Sequence, residues 1–275
     1  MRRKKKSSDR KTIVKHYDSV TEFMNLKPSE INYAIAQGSC YKSNAKKSWY
    51  GVSGGYEQVI KEVNTGWLEG YKKALELRSQ IVSDIPMAQS IKRRRVFSDT
   101  GDNFHIDRLY NGQYETCFSD MKRKDSNGNP IRRIFVAIGD NGGTSAEKLF
   151  YQGVCAAILT DALEDAGYRI ELIAYMHSSG CFTDGSNEYT SFVVKNSDNS
   201  MSLSRLNTVV GLSGFFRFYG FKALHSVDKR TTHGLGCNID KPLQSETRPD
   251  DIILTQTQDK TSCINRIKEV LKSFS

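Results

Sequence analysis

Residues 131–176 restrict the possible folds more than any other stretch. IRRIFVAIG (131–139) contains a continuous Ile134–Ile138 run of apolar, largely β-branched residues, the pattern of a strand covered on both faces. DNGGTS (140–145) then breaks the run, and Thr144-Ser145-Ala146-Glu147 reads as a capping box with Thr144 as N-cap. Leu149, Phe150, Gly153, Val154, Ala157 and Ile158 form a wide apolar face, so the helix that follows is central. LEDAG ends that helix with Gly167 at the left-handed cap, and YRIELIAYM (168–176) is a second core strand. A strand–helix–strand unit of this length predicts a right-handed crossover between two parallel, adjacent strands.

The remaining segments extend this pattern. SNEYTSFVVKN (186–196) and DIILTQ (251–256) read as further strands, and ALHSVD (223–228) as the approach to another. Residues 201–224 are a long apolar helical stretch loosened by Gly211, Gly214 and Gly220, and Ser262 is the expected cap of the last helix. Residues 113–275 are therefore expected to be an α/β domain with a mostly parallel central sheet and helices on both faces. Upstream, Tyr56, Val59, Ile60 and Val63 mark a helix that ends at Gly66, and Trp67, Tyr71, Ala74 and Leu75 restart the periodicity. Residues 13–112 thus read as a small helical N-terminal region, irregular from 84 onward, with Trp49 and Trp67 as buried anchors or as base-stacking rings. ETCFSDMKR (115–123) reads as a strand, and Asn127-Gly128 predicts a hairpin returning into residue 131.

Charge suggests partners. The chain of 275 residues carries a net charge of +9, concentrated in clusters. These are Arg2, Arg3, Lys4, Lys5 and Lys6 in a polar tail (1–12) that reads as disordered, then Lys92, Arg93, Arg94 and Arg95, then Lys122–Lys124, then Arg132 and Arg133. Such clusters attract phosphate backbones, so nucleic acid is one expected partner and a protein the other. No window reaches the roughly 18 apolar residues of a membrane span, and no apolar stretch follows the cationic start. A soluble cytosolic protein with its six cysteines reduced is the expectation.

Two groups of residues suggest sites. Asp140, Gly142, Thr144 and Ser145 lie at the carboxyl end of a core strand beside a helix N-terminus, where α/β sheets place ligands. Free N–H groups there favour an anion, the oxygen side chains favour Mg, Mn or Ca, and the third reading has Asp140 only closing the turn. HSSGC (177–181) and HGLGC (233–237) repeat a His-x-x-x-Cys spacing, so His177, Cys181, His233 and Cys237 form a candidate structural Zn set. Catalytic signatures are missing: the chain has no Gly-x-Ser-x-Gly elbow, Walker loop or His-Glu-x-x-His motif.

Strand IFVAIGD, its Gly/Ser/Thr turn, the helix ending LEDAG and strand YRIELIAY resemble a von Willebrand factor A-like domain. The resemblance implies a divalent-cation turn of the form Asp-x-Ser-x-Ser, completed by a later threonine and aspartate. Here Gly142 replaces the first serine, Thr208 or Ser204 stands for the loop threonine, and Gln256 occupies the aspartate position with Asp259 displaced. Together with WYGVSGGYEQVIKEVNTGW (49–67), the chain also resembles an uncharacterised family of bacteriophage and mobile-element proteins, which implies a viral origin and the host cytosol. The expected function is a non-catalytic binding protein that contacts nucleic acid through its basic clusters and a partner through the strand-end loops around Asp140, His177 and Gly234. The alternatives are a protein–protein scaffold and a metal-dependent enzyme acting on nucleic acid.

Overall fold

The structure is a computed structural model describing residues 11–43, 46–82, 93–98, 103–123, 131–232, 241–255, 257 and 259–274. Strand β1 (Thr12–Tyr17) leads into helix α1 (Val20–Met24), capped by Ser19, whose hydroxyl accepts from Glu22 N. Helices α2 (Tyr33–Ser39) and α3 (Lys47–Tyr50) precede α4 (Gly55–Thr65) and α5 (Leu68–Val82). The junction of α4 and α5 falls at Gly66, as the sequence predicts. Its φ of 90° is a conformation open chiefly to glycine.

A small second sheet follows. Strands β2 (Arg93–Ser98) and β3 (Asn103–Phe104), helix α6 (Ile106–Tyr110) and strand β4 (Phe118–Arg123) make an antiparallel unit in the order β2-β4-β3.

The central unit takes the predicted form. Strand β5 (Ile131–Ala137), helix α7 (Ala146–Asp165) and strand β6 (Arg169–Ser178) give two adjacent parallel strands, with Ile131 opposite Arg169 and Ala137 opposite Tyr175. Strand β7 (Asn187–Lys195) returns antiparallel to β6. Helix α8 (Leu203–Gly211), the short α9 (Ser213–Phe215), a π-helical turn (Phe216–Gly220) and α10 (Phe221–His225) come next. Strand β8 (Ile252–Leu254) and helix α11 (Lys260–Lys272) complete the fold. The main sheet has the order β1-β7-β6-β5-β8, and only the β6–β7 pairing is antiparallel.

One large core explains the helix positions. Ile134, Val136 and Ile138, with Leu172, Ala174, Met176, Phe192 and Val194, share one cluster with buried residues of α1, α2, α4, α5, α7, α8 and α11. Helix α7 lies at its centre, apolar on nearly every side. It approaches α8 so closely that a Cβ on Gly153 would sit 1.8 Å from Val210 O. The N-terminal helices therefore share the core of the α/β sheet.

Several expectations change. Among the described residues, the helices that pack on the main sheet all join the cluster on one face, whereas both faces were expected to carry them. The opposite face holds a smaller cluster of Phe135, Ala137, Ile173, Tyr175 and Tyr189, against which Leu243 packs. Polar residues on this face explain why a loop can cover it. Tyr189 Oη and Ser191 Oγ donate to the Glu246 carboxylate at 3.0 and 3.2 Å, and Arg133 Nη2 donates to Glu246 O at 2.9 Å. β4 and β5 do not pair with each other as the expected hairpin, because β4 pairs with β2 and β3 while β5 pairs with β6 and β8, and Asn127-Gly128 lies outside the described residues. Residues 93–98, expected to be irregular, are strand β2. Residues 223–225 end a helix, and among the described residues that follow only an isolated bridge from Thr231 to Phe182 forms before β8. The last helix is capped by Asp259, with Ser262 as its capping-box partner, so Ser262 is not the N-cap.

Candidate functional site

The Asp140 turn sits at the carboxyl end of β5. Asn141 N donates to Asp140 Oδ1 at 2.6 Å, Gly143 N to Asn141 Oδ1 at 3.0 Å, and Thr144 N to Asn141 O at 3.1 Å. The turn's own side chains thus satisfy much of its backbone. Ser145, and not Thr144, caps α7: its hydroxyl accepts from Lys148 N at 3.3 Å.

A residue that sequence reasoning missed stands behind this turn. Arg217, on the π-helical turn, is 1% exposed. Its Nη2 donates to Thr144 O at 2.5 Å and its Nη1 to Trp49 O, while its guanidinium carbon lies 3.9 Å from the Trp49 ring centroid. Burial lowers its pKa to about 10, against the opposing influence of Tyr50 and Asp140. A permanent cation therefore faces the turn from inside the protein.

The residues present do not fit the divalent cation that the resemblance implies. Gly142 brings no oxygen, and Thr208 is held within α8, accepting from Trp67 N at 3.0 Å and donating to Ser204 O at 2.8 Å. Asp259 is the N-cap of α11, accepting from Ser262 N at 2.9 Å, and residue 256 lies outside the described residues. Arg217 would further oppose a second positive charge at Asp140.

Of the candidate zinc set the structure describes only His177 and Cys181. His177 faces Tyr189 on the side of the sheet away from the helices, with ring centroids 6.2 Å apart, and burial lowers its pKa. Cys181 packs elsewhere, with Phe182, Leu224 and Val227. His233 and Cys237 lie outside the described residues, among which no group of three or more His, Cys, Asp or Glu side chains is placed to hold a metal. The five described cysteines are buried and form no disulfide.

Beside the first turn of α7 there is a cavity of about 390 Å³ whose lining includes Lys47, Trp67, Lys73, Phe150 and Tyr151. Glu69 already pairs with both lysines, at 2.7 and 3.1 Å, and together they hold its carboxyl below the usual range.

The basic clusters fall into two kinds. Arg132 and Arg133 each pair with an aspartate of the same chain. Arg132 Nη1 is 2.9 Å from Asp250, and Arg133 donates through Nε and Nη2 to Asp251 at 2.9 and 2.6 Å. These pairs tie β5 to the chain entering β8. Arg93, Arg94 and Arg95 belong to a different setting. In the β2–β4 ribbon Arg93 stands opposite Arg123, Arg94 opposite Lys122 and Arg95 opposite Met121. Two charge runs separated in sequence thus meet as five cationic residues in three facing pairs. Arg2–Lys6 and Lys92 lie outside the described residues.

Among the described residues no helix is long and apolar enough to cross a membrane. No curated protein and no solved structure matches the chain. A family model described as "Domain of unknown function (DUF7192)" matches residues 2–275, and the chain belongs to that family.

Proposed function

We propose that this protein binds nucleic acid without catalysis, and that the β2–β4 ribbon is its contact surface. The register that sets Arg93 against Arg123 and Arg94 against Lys122 carries this reading. Directly opposed like charges destabilise an antiparallel pair, whereas a polyanion between them removes the repulsion and releases its own counterions. The Asp140 turn serves as a folding element, with Arg217 as its inner counter-charge.

A von Willebrand A-like ancestry remains part of the proposal. Counted from β5, the strands run third, second, first, fourth across the sheet, the strand order of doubly wound folds, here with the third strand reversed and the described helices on one face. In this reading the cation turn has lost its ligands and the surface role has moved to the ribbon.

Binding of the full chain to a labelled oligonucleotide, measured from low to moderate salt, tests the proposal. Tight binding at low salt that weakens steeply with added salt is expected, together with loss of most of it on reversing Arg94 and Lys122 to glutamate. No binding at low salt, or binding indifferent to that reversal, would refute it.

A further inference from the structure

We infer that the ribbon takes single-stranded nucleic acid, with bases stacking on aromatic rings presented by the same small unit. This rests on the nucleic-acid reading above and adds the class of ligand. Tyr110 is 83% exposed, Tyr114 68% and Phe104 50%. These three aromatics, with Ile106 at 50%, are four of the ten large exposed hydrophobics among the described residues, gathered within eleven positions of the chain. A concentration of this kind marks a contact surface, whereas scattered single residues do not.

The geometry links these rings to the charge. Phe104 pairs in register with Phe118 of β4, and Phe118 stands opposite Ser98 of β2. The Arg94–Lys122 pair lies four residues further along the same ribbon, about 14 Å away at roughly 3.4 Å per residue. Tyr110 and Tyr114 flank a tight turn at Asn111–Gln113. Gly112 has a φ of 75° there, and Gln113 N donates to Arg108 O at 2.9 Å.

The unit is packed from within by other groups. The Arg108 guanidinium carbon lies 3.5 Å from the Phe97 ring centroid, and His105 Nε2 pairs with Ser119 Oγ at 2.6 Å. The exposed tyrosines are therefore not needed to hold it together. One end of the ribbon bears positive charge and the other bears aromatic faces, the combination that tracks a phosphate backbone while stacking unpaired bases. A duplex keeps its bases stacked on one another and offers such rings nothing equivalent.

The test compares a labelled oligothymidylate with a duplex of equal length, using the full chain. The single strand should bind more tightly. Tyr110→Ala and Tyr114→Ala should each weaken single-strand binding at least about fivefold, with the salt dependence unchanged. Tyr110→Phe and Tyr114→Phe, which keep the ring and lose the hydroxyl, should bind as the parent does. All four variants should melt as the parent does. Equal affinity for duplex and single strand, or tyrosine variants that bind normally while the Arg94/Lys122 reversal abolishes binding, would overturn this inference and leave the ribbon reading standing. Failure of both polymers to bind at low salt would overturn both.

Discussion

The core around α7 and the β2–β4 ribbon treat charge in opposite ways. In the core, several buried charged or titratable groups are enclosed by partners. Arg217 is bonded to two carbonyls, and Lys195, 2% exposed, lies 2.7 Å from Glu164 and donates to Ile170 O and Asn196 O at 2.9 Å each. His225, fully buried, contacts Ser39 Oγ at 2.8 Å and Thr231 Oγ1 at 3.0 Å. In the ribbon, cations face cations across the strand pair. Residues that complete each other inside a fold contribute stability. A register that sets cationic residues opposite one another adds no such stability, and it is what the proposed contact uses.

The largest expected effect lies in the core. Arg217→Met leaves Thr144 O without the guanidinium and removes the cation from the Trp49 ring. It should cost about 3–5 kcal/mol by urea denaturation. Arg217→Lys should not restore the loss, since one ammonium cannot reproduce the planar fork that reaches both carbonyls. A parent-like midpoint for Arg217→Met would show that the turn does not depend on it.

Next in size is a pH effect. Burial lowers the His225 pKa to about 4 from its ordinary 6.5. The folded state thus resists a proton that the unfolded chain accepts. The stability this provides is complete above pH 6.5 and is lost as pH falls from 6.5 to 4, reaching about 3 kcal/mol. His225→Gln should flatten that part of the stability–pH curve. An unchanged slope would remove His225 as its source.

Asp140→Asn should have the smallest effect. Its carboxylate accepts from the next residue's N–H in a partly exposed turn, so the loss should stay below about 1 kcal/mol. Added magnesium, manganese or calcium should not change the melting temperature of parent or variant. A rise in the parent alone would restore the cation site.

What could be read from the sequence follows the range of the interactions. The β5–α7–β6 unit, the Gly66 junction and the Gly167 cap were legible because each is set within a few residues by periodicity or by glycine. Strand β1 was not, since TIVKHY is half polar and its partner β7 lies about 175 residues downstream. Its Lys15 is drawn into the sheet by Glu188, 3.3 Å away and 2% exposed. Strand β2 was hidden because three arginines obscure any alternation. At the Asp140 turn the local hydrogen bonds were foreseeable, whereas Arg217 reaches Thr144 across 73 residues from a stretch that reads as uniformly apolar helix. That a loop covers the second face among the described residues follows from Glu246 and Asp251, whose partners on β5 and β7 no local pattern announces.

The most direct measurement is the slope of log binding constant against log salt for single-stranded nucleic acid, compared between two sets of glutamine substitutions. Replacing Arg93, Arg94, Arg95, Lys122 and Arg123 should lower the slope by about 2–4 while stability holds. Replacing Arg132 and Arg133, which Asp250 and Asp251 already engage, should leave the slope unchanged and reduce stability. Equal slopes in the two sets, or a slope that falls only on losing Arg132 and Arg133, would contradict the account.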